Sequence, residues 1–198
     1  FVLISVTSLL VLQPDIGQTM LVFLTWLSLI FVSGINLLFF LTFFIFSGSM
    51  IFYLIFFIPK FEYIKIRLNS FLNPSPGNNY QSEKASEAIV NGGFFGKGIG
   101  EGELNTKIPE AHTDYIVSVI SEEFGIIIII GIMIIYLILA LQILKKVENE
   151  KDNLIRLTLI GSMSILLIQA FIHLGVNIRM FPTTGMTLPF ISYGGSSI

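Results

Sequence analysis

The sequence predicts an all-α bundle of membrane-spanning helices, on three observations. Hydrophobic residues make up 54% of the 198 residues and charged residues only 12%, about half the share of a soluble domain. Mean hydropathy is +0.84. Uncharged runs long enough to cross a bilayer alternate with polar segments that carry glycine and proline. The net charge of −2 provides no basic footprint for nucleic acid. Cysteine is absent, which excludes disulfides and thiolate metal sites.

Residues 1–12 are apolar but shorter than the roughly 20 residues a span requires. They read as the tail of a helix that starts earlier. With the ending "YGGSSI", this predicts a fragment of a longer protein and not a signal peptide with its mature chain. The 44 residues between Asp15 and Lys60 carry no charge. As one helix they would run about 66 Å, twice the hydrocarbon core. Two helices are therefore predicted, about 17–33 and 37–58, divided at "SGIN", where Gly34 and Asn36 favour a turn. A break at Ser47–Ser49 would leave the later helix too short. Further spans are predicted at about 115–144 and 155–177.

Between the second and third complete spans lies a large polar loop, 59–114, and a final loop covers 178–198. Residues 60–72 alternate charged and apolar side chains, as in a helix lying in the interface with Lys and Arg snorkelling. "QSEKASEAIVNGG" reads as a short amphipathic helix, begun at Ser82 and stopped at Gly92. A connection this long favours a functional role.

Complete crossings alternate sides. "QPDIG", the 59–114 loop and the 178–198 tail therefore share one face, and "SGIN" and the segment after residue 144 share the other. Lys145, Lys146, Lys151 and Arg156 make the second face cytoplasmic under the positive-inside rule. Lys60, Lys65 and Arg67 oppose this assignment from the first face. The polar motifs are thus expected on the extracytoplasmic side.

The densest chemistry is "IPEAHTDYIVSVISEEFG", with Glu110, His112, Asp114, Glu122 and Glu123 at the mouth of "IIIIIGIMIIYLILAL". A carboxylate in a first helical turn is held ionised by the helix dipole. The same position suits a general base or a metal ligand. Asp114, Ser118 and Glu122 fall at i, i+4 and i+8. A lipid-facing carboxylate is costly, so their shared face is predicted to look into a polar cavity. Alternatively, Glu122 and Glu123 sit among headgroups.

"GGFFGKGIGEG" lacks the spacing of a P-loop. Its amides, Gly98 among them, can still cradle phosphate oxygens, with Lys97 as a point charge. A flexible surface loop is the plain alternative. Asp15 reads as a helix cap. "FPTTGMTLPFISYGGSS" reads as a re-entrant or surface loop able to hydrogen-bond a polar headgroup. His173 reads as a helix–helix hydrogen-bond partner.

Four runs, "LQPDIGQTML", "SEAIVNGGFFGKGIGEG", "IPEAHTDYIVSVISEEFG" and "TGMTLPFISYGGSS", are spread along nearly the whole chain, from Leu12 to Ser197. In this order they resemble the SEDS family (shape, elongation, division and sporulation), and the division member more than the elongation member. The resemblance implies a ten-helix protein of the bacterial cytoplasmic (inner) membrane, multi-pass and at the septum. This chain would cover the end of helix 5 through helix 9. The implied activity is that of an inverting peptidoglycan glycosyltransferase, polymerising lipid II into glycan strands during septal cell-wall synthesis.

The family's essential Asp maps to Asp114, as base or as ligand of a divalent cation (Mg or Mn). Lys97, Gly98, Glu110, His112, Ser192, Gly194, Gly195 and Ser196 are then expected to contact substrate. Asp15, Ser118, Glu122 and Glu123 are expected to be structural or cavity-lining. An acidic residue found in some members eight positions before the Asp is Thr106 here, with Glu103 nearby. The implied partners are a class B penicillin-binding transpeptidase and other division proteins. A lipid II flippase and a non-catalytic membrane scaffold are the rival readings. The spans hold few polar residues and the ionisable ones crowd one face, which favours the transferase over the flippase.

Overall fold

A computed structural model describes residues 2–13, 15–73, 80–108 and 111–193. Among these residues the secondary structure is helical throughout. Helices α1 (Val2–Leu12), α2 (Ile16–Val32) and α3 (Leu37–Phe57) lead through a 3-10 turn, Pro59–Phe61, into α4 (Glu62–Leu72). Then follow α5 (Tyr80–Gly92), α6 (Leu104–Lys107), α7 (Ile116–Phe124), α8 (Ile126–Asn149) and α9 (Asn153–Asn177).

Local chemistry explains the boundaries. The Asp15 carboxylate accepts the Gln18 amide at 2.9 Å and caps α2. Gly34 takes φ +82 at the turn after α2, and the Asn36 carboxamide then accepts the Leu38 amide to start α3. Ser47 and Ser49 do not interrupt α3. Their hydroxyls donate to the carbonyls of Phe44 and Phe46 within the same helix.

Helices α3, α8 and α9, of 21, 24 and 25 residues, are long and apolar enough to cross a membrane. Helix α9 is the pillar of the bundle. Half of its most apolar stretch is buried, against none for α3, most of whose phenylalanines lie exposed. Helix α2 lies along α9, where Gly161 leaves room for Leu29. Helix α8 packs on α9 through Ile129 and Tyr136.

The single helix expected over 115–144 is two helices. At Gly125 the backbone takes φ 83, ψ 170, a region open essentially to glycine alone. Helix α8 by itself rises about 36 Å, enough to span the core without α7. Helix α7 therefore belongs to a surface layer, together with Glu122 and Glu123. Helix α8 also runs past Leu144 to Asn149.

The surface layer is built by close approach. Ala85, Ala88 and Gly92 of α5 are buried, and α5 packs on α7. A Cβ at Gly92 would stand 2.0 Å from the Ser121 carbonyl oxygen, so only glycine permits this contact. Tyr115, Val119, Ile172 and Met186 share the core beneath α5.

Candidate functional site

The site begins with a polar stripe on α9. Gln169, His173 and Asn177 recur every fourth residue on one helix face, and all three are buried. Gln169 Nε2 donates to the Thr187 carbonyl at 2.9 Å. His173 Nδ1 bonds the Met186 carbonyl at 2.7 Å. A carbonyl only accepts, so this bond puts the ring proton on Nδ1. From α8, the Tyr136 hydroxyl donates to the Pro189 carbonyl.

The segment after α9 therefore re-enters the bundle, with Met186, Thr187, Leu188 and Pro189 buried. Irregular backbone at this depth needs partners for its polar groups, and helix side chains supply them. On α2, a Cβ at Gly17 would meet Met186 Cγ at 2.6 Å and the Thr184 oxygen at 2.8 Å. His173, expected to bridge helices, instead holds this loop.

The loop in turn fixes Asp114. The Tyr193 amide donates to the His112 carbonyl at 3.1 Å. The Ser192 hydroxyl donates to the Thr113 carbonyl at 2.8 Å. Asn177 Nδ2 donates to the Asp114 carbonyl at 3.1 Å and to the His173 carbonyl at 2.8 Å. Asn177 Oδ1 accepts the Ser118 hydroxyl at 2.7 Å and its amide at 3.3 Å. Three successive carbonyls, from 112 to 114, are thus clamped by α9 and the loop behind it. The clamp uses no side-chain atom of His112, which is exposed, or of Asp114, which is half-buried. Asp114 Oδ2 lies 3.7 Å from the position a Cβ would take on Gly185, where φ is +70. The carboxyl group therefore borders the turn around Gly185.

The predicted stripe of Asp114, Ser118 and Glu122 does not open into one cavity. Tyr115 is the N-cap of α7, which leaves Asp114 outside the helical register. Ser118 bonds Asn177, whereas Glu122 has other partners. Glu122 is 3% exposed. Its Oε2 accepts the Leu104 amide at 3.0 Å, and its Oε1 pairs with Lys97 Nζ at 3.2 Å.

The glycine-rich loop is anchored to α7. The Lys97 amide donates to the Glu122 carbonyl at 2.8 Å, and the Gly98 amide to the Glu123 carbonyl at 3.1 Å. The Ile126 amide donates to the Gly93 carbonyl at 3.0 Å. The Gly98 amide, expected among those facing phosphate oxygens, is thus engaged within the fold, as is the Lys97 amide. The Lys97 ammonium has a carboxylate partner, and the Ser192 hydroxyl serves the clamp.

Glu122→Ala would leave the Leu104 amide without its acceptor and Lys97 without its partner. The expected loss is about 2–4 kcal/mol, because the Lys97 side chain, 33% exposed, can rehydrate. Adding Lys97→Ala should cost less than the sum of the two single changes. Thermal unfolding in detergent reads this, and additive losses would contradict the pairing.

Glu110, Gly194, Gly195 and Ser196 lie outside the described residues. Glu103 pairs with Lys107 on α6, and this hydrogen bond holds the Glu103 carboxyl below its ordinary value. Thr106 donates its hydroxyl to the Glu103 carbonyl. Among the described residues, no three His, Cys, Asp or Glu side chains gather as a metal cluster would require. The sequence reading missed Asn177, Gln169 and Tyr136. The four-residue spacing of Gln169, His173 and Asn177 within an apolar helix was the available signal, since such residues face inward.

The whole chain, residues 1–198, matches the family FTSW_RODA_SPOVE, described as "Cell cycle protein". It is 34% identical over 195 residues to a "Probable peptidoglycan glycosyltransferase FtsW" of Caulobacter vibrioides, covering 96% of this chain and 48% of that protein. It is 40% identical over 150 residues to the protein of that description from Geobacter metallireducens, covering 74% and 40%. Against "Peptidoglycan glycosyltransferase RodA" of Mycobacterium tuberculosis, identity is 32% over 195 residues, covering 96% and 40%. The chain thus spans about half the length of the curated relatives it matches. A solved structure described as "Structural coordination of polymerization and crosslinking by a peptidoglycan synthase complex" superposes with a TM-score of 0.75 at 26% identity, covering 99% of this chain and 55% of that one.

Proposed function

The chain belongs to the cell cycle protein family of FtsW, RodA and SpoVE, and on that footing we propose that it is part of a peptidoglycan glycosyltransferase that polymerises lipid II during septal wall synthesis. The observation that carries the reading is the clamp on residues 112–114. It presents one carboxylate, Asp114, at the junction of α7 and the loop after α9, while backbone carbonyls hold its position.

In this reading Asp114 takes the proton of the acceptor sugar hydroxyl. The acceptor oxygen bonds to the anomeric carbon of the donor, and the bond from that carbon to the diphosphate breaks. The diphosphate leaves with the bonding electrons, and the configuration inverts. Among the described residues, a divalent cation (Mg or Mn) would find the Asp114 carboxylate here. That suits an ion held largely by substrate phosphates, whose charge it would neutralise when bound. The motif face lies outside the inner membrane, at the septum, and a single-helix transpeptidase of the penicillin-binding class is the partner. The solved synthase complex of similar fold supports that partner.

The test uses a full-length protein carrying this chain, purified into liposomes with lipid II. Glycan polymer and lipid translocation are measured side by side. Polymer is expected. Translocation without polymer would overturn the reading in favour of a flippase, and neither activity would favour a scaffold.

A further inference from the structure

A cavity of about 480 Å³ lies between α4, the start of α5 and the turn after α9. Its volume falls in the range of small-molecule sites, about 300–1,000 Å³. Two guanidinium groups, Arg67 and Arg179, line it, along with the hydroxyl-bearing Ser70, Ser82 and Thr183. Phe181 belongs to its apolar wall.

Arg179 stands there against the preference of its own backbone. Its φ is +60, a conformation that side-chain-bearing residues rarely adopt. The turn that ends α9 requires it, because the amides of Met180 and Phe181 both fold back onto the Gly175 carbonyl. Glycine is the ordinary occupant of such a position. An arginine held in strain at the rim of a cavity points to use of its side chain.

Its present partner is weak. Arg179 Nη2 lies 3.9 Å from Glu83 Oε1, with both side chains 38% exposed. Arg67 donates one hydrogen bond, to the Thr183 carbonyl at 3.2 Å, which occupies only part of its fork of five donors.

We propose that this cavity binds the diphosphate of a polyprenyl lipid, gripped between Arg67 and Arg179, with Glu83 as the group it displaces. Paired guanidinium forks match adjacent phosphates with charge-assisted hydrogen bonds. The apolar wall and the exposed interfacial helix α4, which buries none of its residues, suit the first units of the lipid tail. Thr183 on the rim is two residues from Gly185, the neighbour of Asp114, a span of at most about 7 Å of extended chain. The same loop thus lines the cavity and borders the proposed base. The choice of a polyprenyl lipid rests on the function proposed above.

The test is native mass spectrometry of the full-length protein titrated with undecaprenyl diphosphate, which reads binding without turnover. Arg67→Gln and Arg179→Gln should each weaken binding about tenfold or more, the loss of one charge-assisted contact. Glu83→Gln should tighten it, because Arg179 is released. A merely structural role for the arginines does not produce that gain. Arg179→Gln removes only a weak surface pair, so it keeps the test informative if Arg67→Gln misfolds. Binding indifferent to all three changes would overturn the site, whether or not the protein polymerises lipid II. Equal competition by phosphatidylglycerol would overturn the diphosphate assignment in favour of a bilayer phospholipid.

Discussion

Gly96→Ala is expected to destabilise the folded protein by about 3 kcal/mol or more. Gly96 sits at φ +77, and a Cβ there would stand 2.1 Å from the Glu123 carbonyl oxygen, 2.4 Å from its carbon and 2.6 Å from the Phe124 nitrogen. All three atoms are backbone at the end of α7, so no side-chain rotation relieves the overlap. The left-handed conformation adds about 1–2 kcal/mol, and forced overpacking about 1–3. The displaced loop would also take Lys97 away from the buried carboxylate of Glu122. Gly93→Ala is the matched control. Its φ is +56 with nothing within 4 Å of the added Cβ, so only the conformational penalty applies. Thermal unfolding of the two variants in detergent checks this. Equal losses would show that the loop is not seated on α7.

The glycine loop shows why the sequence was only partly legible. Six glycines around one lysine are compatible with a phosphate cradle, a mobile loop or close backbone packing. Composition cannot separate these, because the deciding fact is the proximity of α7, from residues some 25 positions later. The division of α2 from α3 was readable, since a helix of 44 uncharged residues would exceed the bilayer. The break at Gly125 was not. A glycine in a helical pattern is compatible with either a continuous helix or a stop, and here the backbone of Phe94 and Phe95 packs against it. Asp114 could be singled out from its motif, but the clamp that fixes it could not. That clamp joins residues 112–114 to residues 177–193 through backbone carbonyls, and carbonyls leave no trace in side-chain chemistry. Arg179 escaped notice because its meaning lies in a backbone angle.

We propose that Asp114 is the general base, on a backbone held through the carbonyls of residues 112–114. Asp114→Asn preserves size and shape but cannot take a proton. The bond from Asn177 to the residue 114 carbonyl is to backbone, as are those from Ser192 and Tyr193 to its two neighbours. These backbone bonds remain available to the variant, and thermal unfolding in detergent reads the fraction that folds. Removal of a general base lowers rates by about 10²–10⁴-fold. The decisive measurement is the initial rate of glycan-strand formation from purified lipid II by the full-length Asp114→Asn protein, normalised to folded protein. A fall of at least about a hundredfold is expected, and a rate equal to wild type would rule Asp114 out as the base.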